Sequence, residues 1–200
     1  GGVTVSGGID ADAYIAMQYK SLSRRDQARF DPMITGFNPA DMYAADHIRR
    51  VLETFPGVFS GIGEFTIHKE FVSSKVAGDI ASLTDPALDR ILAFAGEVGL
   101  VVLLHNDIDV PFAAQGAEPV YLTQMKDLLR RHRNTTVIWA HTGLGRVVVP
   151  PRSQAAVGAA ERSPNHREII LGILEDPTLA HVSFDISWDE VAKYVLATPE

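Results

Sequence analysis

The run Thr136-Val-Ile-Trp-Ala-His141-Thr-Gly-Leu-Gly145 decides the fold. Its apolar, β-branched start predicts a buried parallel strand, and the glycines predict a turn directly after His141. Such a strand presents His141 at its C-terminal end. Three other stretches share the design. Ser60-Gly-Ile-Gly-Glu64-Phe65 reaches a carboxylate, and Leu100-Val-Val-Leu-Leu-His105-Asn-Asp107 reaches a histidine and an aspartate. His181-Val-Ser-Phe-Asp185-Ile-Ser187 reaches a second aspartate. Side by side in one sheet, these strands bring their terminal polar groups together.

A chain of 200 residues is long enough for one well-buried core, so 1–200 is expected to be a single domain. A net charge of −7 argues against a non-specific nucleic-acid binder, though not against an enzyme acting on nucleic acid. With no cysteine there is neither a disulfide framework nor thiolate chemistry. No apolar run reaches membrane-spanning length. The opening Gly-Gly-Val-Thr-Val-Ser-Gly-Gly has no initiator Met or signal peptide, and Pro199-Glu200 follows an apparent helix. The chain is therefore expected to be an internal piece of a longer protein, with its compartment and oligomeric state left open.

Between the strands, apolar residues recur at helical spacing. Residues 10–29 are expected to be helical, and Phe30 to Phe37 to hold the first strand. Asp41 is placed to cap a helix carrying Met42, Ala45, Ile48, Val51, Leu52 and Phe55, which Pro56-Gly57 stops. Asp85-Pro86 starts the next, Leu88, Ile91, Leu92, Ala95 and Val98 form its stripe, and Gly99 ends it. Val120, Leu122, Met125, Leu128 and Leu129 predict a third, with Arg130 to Arg133 where the helix dipole favours positive charge. A helix at Asn165 to Leu174 precedes the strand of Asp185. Ser187-Trp-Asp-Glu190 is a capping box for a last helix with Val191, Tyr194 and Val195.

This alternation, with a period of roughly 40 residues, predicts right-handed βαβ units and a parallel sheet. Long loops follow the strands and short ones precede them. That asymmetry suits a (β/α)8 barrel of TIM type, whose site lies on the C-terminal loops. A doubly wound open sheet is the alternative, and its early Gly-rich phosphate turn is absent. Five predicted strands make the barrel a partial one.

Strict alternation puts Ile62 with Glu64, His105 with Asp107, and Val137 with Trp139 and His141 on common faces. Polar groups ending buried strands are costly unless paired or bound to metal. Glu64, His105 and His141 in matching positions thus point to one site. His105 is the expected metal ligand, against an imidazole satisfied by Asp107 or a carbonyl. His141 is a second ligand or a general base acting on metal-activated water, against a polar cap on a tight turn. Glu64 binds metal or orients substrate, or pairs with Lys69. Asp107, Asp185 and Trp188 are candidate contacts to a small-molecule substrate; helix capping by Asp185 and packing by Trp188 are the alternatives. Gly143-Leu-Gly145 is a weak phosphate-loop signal. His47, His132 and His166 are expected at the surface, and His181 at the opposite end of its strand. Arg146 and Arg152 are expected in a solvated loop, where they could also meet an acidic substrate.

The succession Gly-Ile-Gly-Glu64, Leu-Leu-His105-Asn-Asp107, Trp-Ala-His141-Thr-Gly and Phe-Asp185-Ile-Ser resembles the amidohydrolase superfamily. It is most similar to the amidohydrolase-related branch that includes the aminocarboxymuconate-semialdehyde-decarboxylase-like enzymes, from about Phe30 onward. The resemblance implies a metal-dependent barrel of which strands 3 to 7 are present. It implies a divalent metal, zinc first, with manganese or iron as alternatives. It implies hydrolysis of a C–N or C–O bond by metal-activated water, or a related non-oxidative, lyase-like decarboxylation. His105 matches the strand 5 ligand. His141 matches the strand 6 histidine, catalytic in one-metal members and a second-metal ligand in two-metal members. Glu64 ends strand 4, where TatD-like deoxyribonucleases place a metal-binding carboxylate. The family's His-x-His pair is absent from the sequence, and Asp185, on strand 7, does not replace the strand 8 aspartate. This segment alone is therefore expected to bind metal weakly and to be inactive. A non-catalytic barrel-derived binding module is the competing expectation, and a nuclease is disfavoured by the acidic balance.

Overall fold

The computed structural model describes residues 9–69, 81–110, 118–145, 166–189 and 191–192. One row of aliphatic side chains crosses its sheet: Ile34 lies opposite Ile62, Ile62 opposite Val102, Val102 opposite Val137 and Val137 opposite Val182. The strands they belong to are β1 (Met33–Ile34), β2 (Gly61–Thr66), β3 (Val101–His105), β4 (Val137–Trp139) and β5 (Val182–Phe184). All five are parallel and stand in sequential order.

The helices are α1 (Asp10–Ser21), α2 (Arg24–Gln27), α3 (Ala44–Thr54), α4 (Pro86–Val98), α5 (Leu122–Arg131) and α6 (His166–Leu174). Every crossover steps one strand in the same direction, so right-handed connections put α3 to α6 on one face. Burial agrees. Ile48, Leu88, Ile91, Met125, Leu128 and Ile169 share one core with Ile34, Ile62, Val102, Leu104, Val137 and Trp139. The alternate strand residues Met33, Val101, Leu103 and Ile138 are only half-buried. A doubly wound sheet would reverse its strand order at a switch point. This order has no reversal, which is compatible with an arc of a barrel wall.

Local signals explain most boundaries. Asp85 Oδ1 accepts from Ala87 N at 2.8 Å, Pro86 follows, and Gly99 closes α4 at φ 76°. Asp41 instead makes a turn ahead of its helix, accepting from Tyr43 N at 2.9 Å, so α3 starts at Ala44. Met42 and Val120, expected in helical stripes, are exposed and precede their helices, while Val98 ends α4 with its side chain exposed. The 10–29 stretch breaks at Leu22-Ser23, where the Ser23 side chain caps α2. Tyr194, Val195 and Glu190 of the expected last helix lie outside the described residues, as do Arg146 and Arg152. No helix among the described residues is long and apolar enough to cross a membrane.

His47 overturns its surface expectation. Ala44, His47, Ile48 and Val51 form the buried face of α3, at i, i+3, i+4 and i+7. His47 Nε2 lies 3.9 Å from Asp12 Oδ2, and both side chains are fully buried. Asp12 also accepts from Thr35 N at 2.8 Å and Gly36 N at 3.1 Å, tying α1 to the end of β1. His132 is half-buried rather than free at the surface, with Nε2 2.6 Å from Asp89 Oδ1.

Asp12→Ala leaves the Thr35 and Gly36 donors without their carboxylate and is expected to cost roughly 1–3 kcal/mol. Chemical denaturation checks it; an unchanged midpoint contradicts the anchoring role. A second expectation concerns pH. Burial is the main cause holding the pKa values of His47, His166 and His181 below the ordinary histidine value. The unfolded chain therefore binds protons first as the pH drops. Stability is complete above about pH 6.5 and is lost as the pH falls through that value toward the depressed folded pKa values. Unfolding midpoints measured from about pH 7 to about pH 5 should fall; a flat profile contradicts the neutral burial of these rings.

Candidate metal centre

Glu64 reaches the site through an irregularity in β2. Gly63 pairs with Leu103 and Phe65 with Leu104, so Glu64 is the extra residue of a bulge. A Cβ at Gly63 would collide with the Leu103 carbonyl oxygen, and Gly63 has φ +122°, so only glycine fits there. Strict alternation, which puts Ile62 and Glu64 on one face, fails for this reason. Ile62 and Phe65 enter the core, while the Glu64 side chain stays 37% exposed.

His105 ends β3 and lies beside Glu64. Its Nδ1 is 2.9 Å from Glu64 Oε1, and its Nε2 is 3.2 Å from Asp107 Oδ1. The expected common face for His105 and Asp107 is thus observed, with Asp107 buried behind the ring. Asn106 braces the segment: Oδ1 accepts from His68 N at 3.3 Å, Nδ2 donates to Asp107 O at 2.9 Å, and its carbonyl accepts from Trp139 Nε1 at 2.7 Å. Trp139 is therefore a packing residue, fully buried against Phe184.

His141 departs from simple strand geometry. The strand stops at Trp139, and a 3-10 turn spans Ala140–Gly143. His141 and Thr142 both have φ 53°, a left-handed conformation that costs an L-residue roughly 1–2 kcal/mol. The turn carries His141 out of the Val137–Trp139 pattern, toward Glu64. It is held by Leu144 N to His141 O at 2.9 Å and Ile108 N to Gly143 O at 3.0 Å. His166 Nε2 adds a bond to Thr142 O at 2.9 Å. That bond corrects the surface expectation for His166, which is buried at the start of α6. Gly143, φ +64°, belongs to this turn; a Cβ there would meet Ile108 Cγ2 at 2.7 Å and Trp139 Cζ2 at 2.9 Å.

The three side chains converge. One ligand atom from each of Glu64, His105 and His141 lies within 4.8 Å of the others, a group that could hold a metal ion. His141 Nε2 is 3.6 Å from Glu64 Oε1, and its Nδ1 is 3.5 Å from Asp185 Oδ2 and 3.3 Å from Ser187 Oγ. The two imidazoles meet edge to face at 5.0 Å, and Trp188 lies 6.3 Å from the His141 ring. Asp185 also makes a local turn, accepting from Ser187 N at 2.7 Å. His181 lies away from the site, on the Leu129 carbonyl at 3.0 Å.

The donor set fits a divalent cation. A neutral imidazole has one N–H, yet a carboxylate oxygen lies against each nitrogen of His105. One contact is a hydrogen bond; the other requires a second proton or a metal. Asp107 and Asp185 stand behind the two rings as carboxylate partners of the kind that orient metal-binding histidines.

His68, which the periodic pattern of the strands does not single out, stacks on Tyr121 at 3.9 Å beside Asp107. Burial lowers the His68 pKa against the opposing charge of Asp107, and burial followed by Asp107 and Asp109 raises that of Tyr121. Asp109 holds the following segment, accepting from Val110 N at 2.9 Å and Val120 N at 3.1 Å. A polar cluster directly after two strand ends is the signal for His68 and Asn106.

Comparison of the chain with protein-family models, with curated proteins and with solved structures finds no match. Gly143→Ala is expected to destabilise the protein by roughly 1–3 kcal/mol through overpacking against Ile108 and Trp139. Denaturation of the variant checks this, and wild-type stability would show that the turn has room to spare.

Proposed function

We propose that the chain carries the catalytic part of a metal-dependent hydrolase of the amidohydrolase type, acting on a C–N or C–O bond of a small molecule, or of a related non-oxidative decarboxylase. One observation carries the proposal: ligand atoms of Glu64, His105 and His141, from the ends of three successive parallel strands, within 4.8 Å of one another. The sequential strand order supports a partial (β/α) barrel, in which strand ends form the site.

In this proposal Glu64 and His105 hold the cation, zinc first with manganese or iron as alternatives. When bound, such a cation supplies Lewis acidity and lowers the pKa of water. Asp107 accepts from His105 Nε2–H, which leaves the Nδ1 lone pair facing Glu64. Ser187 Oγ, which donates to Asp185 Oδ2 at 2.7 Å, accepts from His141 Nδ1–H at 3.3 Å, so the Nε2 lone pair faces the same point. His141 then takes a proton from the attacking water, or binds metal itself. Trp188 flanks His141 and offers substrate an apolar wall, while Asp185 and Ser187 offer polar contacts.

A second role has one observation in its favour. A proton on His105 also satisfies both of its carboxylates, and the cluster then closes the sheet end of a binding module without metal. Zinc titration of the full-length protein followed by calorimetry separates the two. The metalloenzyme predicts one saturable site that weakens about 10–100-fold in Asp107→Asn and further in His105→Ala. Turnover of the full-length protein is lost in His105→Ala and His141→Ala with folding intact. Absence of zinc uptake at saturating concentration, or full activity in both alanine variants, supports the module and sinks the enzyme.

A further inference from the structure

The turn that aims His141 is held from beyond the site by one side chain. His166 opens α6, is 4% exposed, and sets Nε2 2.9 Å from the carbonyl oxygen of Thr142. A carbonyl only accepts, so Nε2 carries the proton and His166 is the donor. Three successive carbonyls of the turn each have a donor. His141 O takes Leu144 N and the hydroxyl of Thr142 within the turn, and Gly143 O takes the backbone Ile108 N. Thr142 O takes the His166 side chain, 24 residues on in the sequence.

We infer that His166 is a positioning residue for the metal centre: by donating to Thr142 O it locks His141 in the left-handed conformation that faces Nε2 to Glu64 and Nδ1 to Asp185. Thr142 is β-branched and sits at φ 53°, where such residues are outliers. Conformations of this kind persist only when the surroundings over-determine them. With the donor removed, the peptide after Thr142 is free to turn and the pair relaxes toward negative φ. That motion swings the Cα–Cβ bond of His141 off the site. Ile169 and Ile173 anchor α6 in the core, so the restraint rests on a packed element.

The functional meaning rests on the proposed metal centre; the geometry does not. Two variants separate the bond from the packing: His166→Gln keeps an N–H donor at similar reach, and His166→Phe keeps volume without a donor. His166→Leu replaces the latter if the larger ring does not fit. The first readout needs no metal. Amide hydrogen exchange at Leu144 and Ile108 should speed up in His166→Phe, remain slow in His166→Gln, and be unchanged at Val102 and Leu104 in the sheet. The second is cobalt(II) affinity, expected to fall at least roughly tenfold in His166→Phe and to stay within about threefold of wild type in His166→Gln. Wild-type exchange at Leu144 in the donor-free variants overturns the inference. So does equal loss of cobalt affinity in His166→Gln and His166→Phe. If the wild-type protein binds no cobalt, the metal proposal fails while the exchange comparison still decides the role of His166.

Discussion

A single imidazole cannot satisfy two carboxylates without an added positive charge, and His105 stands between Glu64 and Asp107. The C-terminal end of the sheet is built around that demand. Glu64 is shared with His141, and His141 has Asp185 at its other nitrogen. The result is a chain of alternating acids and imidazoles across β2, β3, β4 and the end of β5. Unpaired charge at the ends of buried strands is expensive. Here each group is paired, and Glu64, His105 and His141 are a group that could hold one cation.

The sheet supplies the convergence, and two local distortions complete it. Sequential parallel order puts all strand ends on the same side. Regular strands alone do not place Glu64 and His141. The bulge at Gly63–Phe65 frees Glu64 from the ladder, and the left-handed pair His141–Thr142 turns the imidazole back toward it. Each distortion leans on a glycine: Gly63 against the Leu103 backbone, and Gly143 against Ile108 and Trp139.

The regular parts were legible in the sequence because they depend on local chemistry. The cap at Asp85, the glycine at position 99 and the apolar runs ending near Glu64, His105, His141 and Asp185 mark their elements correctly. Glu64, His105 and His141 were legible as a group for the same reason. Strict alternation failed at Glu64 and at His141, since neither a bulge nor a left-handed turn leaves a periodic trace. The burial of His47 and His166 was hidden because a histidine's polarity says nothing of its partner. Asp12 lies 35 positions before His47 in sequence, and Thr142 lies 24 positions before His166. For His47 the apolar face of Ala44, Ile48 and Val51 was the available clue.

The most direct test of the account is X-ray absorption at the metal edge of the zinc-loaded protein. The account predicts nitrogen and oxygen neighbours at about 2.0 Å with the outer-shell scattering of imidazole, lost in His105→Ala. An oxygen-only shell, or imidazole scattering unchanged when His105 and His141 are replaced, would contradict a metal centre at this end of the sheet.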